Sequence, residues 1–138
     1  MNHTAARRAY FAVNVIFAGV ILLIMGYSAF YSPDRNSYPV VCIHEKLTGE
    51  PCPSCGLSHA FSLIIRGRVD EALQLNSASL RVFLFFVLQL IMRIAIGIWN
   101  LVTDRWLKQI TWIDILTSSV MAIFAFYPFL RALWMALF

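Results

Sequence analysis

The chain has 138 residues, a formal net charge of +4 and 60% hydrophobic side chains, where water-soluble domains carry roughly 45 to 50%. With a mean hydropathy of +0.73 it reads as a small all-α integral membrane protein, one membrane domain over residues 1–138 with the lipid bilayer as its solvent. The 11 Lys and Arg stand singly around apolar runs and form no stripe that a phosphate backbone could follow, which argues against a nucleic-acid partner.

Three runs are long enough to cross a bilayer. The first, residues 9–31, carries no charge and exceeds the roughly 30 Å hydrocarbon core at helical rise. Arg7 and Arg8 precede it and favour a cytoplasmic N-terminus. No small-residue cleavage pattern follows the run, so it is read as a retained span. Residues 32–79 form an insert: SPDRNSYPVV is turn-rich, with Pro33 and Pro39 opposing helix. Beyond it Leu57, Ala60, Phe61, Ile64 and Ile65 recur at helical spacing, predicting a helix that starts near Pro53 or Ser54 and stops at Gly67. VDEALQL adds one or two turns. Both pieces are too short to span and fit interfacial or re-entrant helices. The second span, 80–102, is broken near mid-depth by Arg93, and the third, 112–136, contains Pro128 and Arg131. Trp99, Trp106 and Trp112 cluster at the turn between them, at headgroup level.

The chemistry concentrates in the insert. On a helix starting at Pro53 or Ser54, Cys52, Cys55 and His59 fall within about 60° of one another, and the free N–H groups of a helix start favour thiolate over thiol. Cys42 folds back over the turn that Gly49 and Pro51 supply. Cys42, Cys52, Cys55 and His59, with His44 as the other candidate for the fourth place, make a Cys3His set of the kind tetrahedral zinc accepts. Other readings stay open beside zinc: a disulfide with one free cysteine, a working thiol redox site, and small buried cysteines without a partner. Gly56 rather than histidine follows Cys55, which disfavours covalent haem.

Cys42, the run TGEPCPSCGLSHAF over Thr48–Phe61, Gly67 and Asn76 together resemble the bacterial membrane-protein family known as domain of unknown function 2752. On its pattern Cys42, Gly49, Cys52, Pro53, Cys55, Gly56, Leu57, Ser58, Ala60, Gly67 and Asn76 correspond to family positions. Ser58 stands where threonine is usual and His59 where arginine is usual, so three thiols are the shared feature. The resemblance implies a membrane location and a cysteine-bearing loop, without a reaction.

An unpaired guanidinium at mid-bilayer costs at least ~2.5 kcal/mol. Gln89, Arg93 and Asn100 share one side of the second span, and Asp114, Thr117 and Ser118 form a patch on the third. Pairing of Arg93 with Asp114 as packing glue is the expectation, over an ion or proton path. Three function classes follow. The first is an accessory or structural membrane protein whose metal- or disulfide-stabilised insert contacts a membrane-protein partner. The second is a thiol redox enzyme using Cys52 and Cys55, and the third a component of an oligomeric transporter or channel. The charge pattern predicts a multi-pass protein of the bacterial inner membrane, N-terminus inside and insert on the outer face.

Overall fold

The computed structural model describes residues 3–30, 56–103 and 106–137. They form five helices: α1 (His3–Phe30), α2 (Leu57–Ile65), α3 (Val69–Leu75), α4 (Ser79–Val102) and α5 (Leu107–Leu137). Among the described residues three stretches are long and apolar enough to cross a membrane, Thr4–Phe30, Ser79–Val102 and Leu107–Met135. The expected all-α, three-span architecture is therefore observed. Helix is the form such segments must take, because it pairs every backbone N–H and C=O within one strand of chain where lipid offers no partner. The first and third helices begin earlier than the apolar runs predict. Arg7, Arg8, Lys108 and Gln109 are good helix formers, so the helices extend beyond the apolar cores.

The chain divides into two compact units, Met1–Ile24 with Leu84–Phe124, and Met25–Phe83 with Ala125–Phe138. In the first unit, Arg7 at the start of α1 donates from Nε to the Asn100 carbonyl at 2.8 Å and from Nη2 to that of Leu101 at 3.1 Å. It also bonds Asn100 through a second Nη2 contact. These carbonyls belong to the last turn of α4, where no intrahelical donor remains, so a residue expected only to set orientation also caps a helix.

In the second unit, α2 and α3 pack through Ala60, Leu63 and Ala72, all buried. Alanine at both contact points lets the two short helices approach closely. The predicted stop at Gly67 is observed and has a full hydrogen-bonded motif: Gly67 N–H donates to Ile64 O at 2.9 Å and Arg68 N–H to Leu63 O at 2.9 Å. Gly67 takes φ +79 there, the left-handed conformation in which a Cβ is strained. Asn76 makes the next corner. Its Oδ1 accepts from Ala78 N–H at 2.9 Å, and its carbonyl accepts from Ser79 N–H at 3.0 Å, starting α4. Arg66 Nη2 donates to Ala29 O at 3.0 Å, in the last turn of α1, while Nη1 holds Ser62.

No atom lies within 4 Å of a Cβ built on Gly67, so a substitution there meets backbone strain alone. Gly67→Ala is expected to lower stability by about 1 kcal/mol, with Gly67→Asn recovering much of the loss because asparagine tolerates this region. Unfolding in mixed micelles checks the order Gly, Asn, Ala.

Candidate functional site

A polar cluster lies inside the first unit, built from one pair of side chains four residues apart on each long helix: Tyr10 and Asn14 on α1, Gln89 and Arg93 on α4, Asp114 and Ser118 on α5. Spacing of four places each pair on one helix face, so three such pairs bring six polar side chains to one level. Arg93 is 7% exposed and Asp114 4%, and the two form an ion pair. Arg93 Nη1 donates to Asp114 Oδ2 at 2.8 Å and to Asn14 Oδ1 at 3.0 Å. Its Nη2 donates to the other Asp114 oxygen, to Ser118 Oγ at 2.8 Å and to Gln89 Oε1 at 3.3 Å. Asp114 is further held by the Tyr10 hydroxyl at 2.6 Å and the Ser118 hydroxyl at 3.1 Å. Asn14 Nδ2 completes its own role by donating to Tyr10 O at 2.9 Å.

Pairing of Arg93 with Asp114 is thus as the sequence predicts, and Gln89 and Ser118 join it. Thr117 does not, being exposed on another face of α5. Asn100 is also separate and bonds Arg7 instead. Sequence reasoning missed Tyr10 and Asn14. The signal was present: a lone asparagine in an uncharged apolar run, four residues beyond a tyrosine, repeats the spacing of the other two pairs.

The cluster is electrically neutral, and most of its donors meet acceptors. Chemically it is a clamp, since each helix both gives and receives hydrogen bonds to the one guanidinium–carboxylate pair. Phe17 adds its ring face, 5.8 Å from Arg93 Cζ. Beside the cluster runs a groove of about 580 Å³ lined by Phe17, Phe85, Phe86, Gln89 and Ser119 among others.

Of the predicted zinc set, Cys42, Cys52 and Cys55 lie outside the described residues, as does His44. His59 is half-buried in the first turn of α2. Among the described residues no group of three or more His, Cys, Asp or Glu is placed to hold a metal ion. Gly56 has φ 78 and ψ −5 and is the N-cap of α2, which begins at Leu57. Gly56 sits against α3, where an added Cβ would make an ordinary contact 3.6 Å from Leu75 O; its left-handed backbone is what favours glycine here. The expected helix start at Pro53 or Ser54 lies outside the described residues.

Residues 42–90 match the family model described as Protein of unknown function (DUF2752). That match takes in α2, α3 and the first half of α4 as far as Leu90, and so includes Gln89 but neither Arg93 nor Asp114. No curated protein and no solved structure matches the chain. The chain is a small multi-span membrane protein with a cysteine-containing loop between its first two spans.

Removing one member of the buried pair leaves the other charge unmatched, a change that costs about 3 to 5 kcal/mol in buried sites. Asp114→Leu and Arg93→Met are each expected to lower resistance to SDS unfolding by an amount in that range. The Arg93→Met/Asp114→Leu double variant is expected to return within about 1 kcal/mol of the parent.

Proposed function

We propose that this protein is an accessory or structural subunit of a membrane assembly, and that its DUF2752 segment presents a cysteine-stapled surface to a protein partner. The observation that carries the reading is the seat of Gly56 on Leu75 of α3. The residue that follows the CPSC sequence, Gly56, rests on a platform whose two helices share a core and are tied to α1 through Arg66 and to α4 through Asn76 and Ser79. A segment anchored in this way is suited to display a fixed surface. The polar cluster supports the same class of role, since its ion pair is clamped from all three spans within one unit, whereas an ion or proton path needs a succession of ionisable groups.

In this proposal Cys42, Cys52 and Cys55 bind zinc with His59 as the fourth ligand, closing the loop before α2. Zinc bound by thiolates supplies a structural cross-link and no redox change. The N-terminus faces the cytoplasm and the insert the outer side of the inner membrane, in line with Arg7, Arg8 and Lys108 at the opposite ends of the spans.

Elemental analysis of the purified full chain beside a free-thiol count is expected to give one zinc per chain and three protected thiols. Cys52→Ser and Cys55→Ser are expected to raise protease sensitivity of the insert more than His59→Ala, and equal resistance in all three variants counts against the clip. For the partner, a photo-crosslinker in place of Leu73, exposed on α3, is expected in intact cells to give one discrete heterologous adduct that is lost in Cys52→Ser. The same probe at lipid-exposed Leu116 is expected to give none. Only self-adducts at Leu73, or none, would overturn the accessory reading.

A further inference from the structure

We propose that the hollow between the start of α1 and the end of α4 holds the headgroup phosphate of one anionic phospholipid, a role independent of the accessory reading of the insert. The starting observation is a contrast between two arginines of the first unit. Arg93 has the Asp114 carboxylate beside it. Arg7 is half-buried and spends Nε and Nη2 on oxygens of Asn100 and Leu101. Those acceptors are neutral, so they fix the guanidinium in place without matching its charge, of which the negative end of the α4 dipole offsets at most about half. Arg7 Nη1 bonds none of the described residues, and it is not among their unpartnered atoms sealed from the surface, which are Gln89 Nε2 and Arg93 Nε. Arg8, next in the chain, is exposed and has no partner among the described residues.

Both arginines line one hollow of about 320 Å³, whose other walls are Thr4, Phe11, Asn100 and Leu101. That volume is at the lower end of the usual range for small-molecule sites. No carboxylate is among these wall residues. By sequence, residues 1–8 and 103–108 hold Arg7, Arg8, Arg105 and Lys108 against Asp104 alone. The missing complement is an anion. Guanidinium groups suit a phosphate in particular, because their N–H forks match its oxygens and they shed hydration more readily than an ammonium does.

Depth decides between a free phosphate and a lipid. Thr4, Arg7 and Arg8 precede the uncharged run that starts at Ala9, and Phe11 lies inside it, about 4.5 Å beyond Arg8 at helical rise. Leu101, on the opposite wall, is 65% exposed. The walls thus pass from cationic to apolar over the depth at which a phospholipid passes from phosphate to ester and acyl chain. A soluble phosphate gains nothing from Phe11 and Leu101, whereas a lipid covers them. The headgroup must be anionic overall, since a choline head would set its own cation beside two guanidinium groups. Basic pockets between spans are suited to such headgroups.

Native mass spectrometry of the full chain in detergent micelles compares phosphatidylglycerol with phosphatidylcholine of the same acyl chains. One phosphatidylglycerol is expected to be retained saturably and about thirtyfold more tightly, the effect of two basic residues at an anionic surface. Arg8→Gln removes an exposed cation, so it is expected to unfold like the parent and to weaken phosphatidylglycerol binding about fivefold, the share of one such residue. Lys108→Gln deletes a cation that lines a different hollow, with Ala6, Ala9 and Trp112, and is expected to leave binding unchanged. Equal retention of the two lipids, binding unaltered in Arg8→Gln, an equal loss in Lys108→Gln, or displacement by excess glycerol phosphate would each overturn the proposal.

Discussion

A single guanidinium–carboxylate pair governs the first unit. Arginine and aspartate are among the most costly side chains to place in hydrocarbon, and they are tolerated there when their charges are paired and most of their hydrogen-bonding atoms are met. Arg93 supplies more donors than one carboxylate can accept, so the remainder must come from elsewhere. Asn14, Ser118 and Gln89 provide them from three different helices. The pairing thus specifies which faces of α1, α4 and α5 turn inward, in a medium where apolar side chains gain little by choosing each other over lipid. Most large hydrophobic side chains of the spans are correspondingly exposed.

The second unit is organised by backbone chemistry instead. Two left-handed glycines, one asparagine corner and two close-packed alanines turn an otherwise ordinary polar and apolar mixture into a helical corner. Its position follows from hydrogen bonds at helix termini, where the chain has unmatched carbonyls to offer. Gly56, Ala60, Gly67 and Asn76, which the family pattern picks out, are the residues whose geometry makes this corner, so that part of the pattern has a structural explanation without reference to any reaction.

Much of this was legible in the sequence, and the limits are instructive. Spans were readable from uninterrupted apolar length, Gly67 from its place after the last periodic residue, and Arg93 with Asp114 from the expense of isolated charge. Tyr10 and Asn14 escaped because an uncharged run invites a search for ionised groups only, although neutral amides and hydroxyls are equally in need of partners in lipid. The left-handed backbone of Gly56 just ahead of α2 was not readable for a different reason: periodicity assumes constant dihedrals, and a glycine allows departures that residue spacing does not register.

The two capping arginines have a mechanical consequence. Arg7 joins the beginning of α1 to the last turn of α4, and Arg66 joins the insert to the last turn of α1, so the first span is tethered near both termini. Each tie falls on carbonyls that a helix leaves unpaired in its last turn, so each arginine closes a helix end against fraying where lipid headgroups and water would otherwise compete for those oxygens.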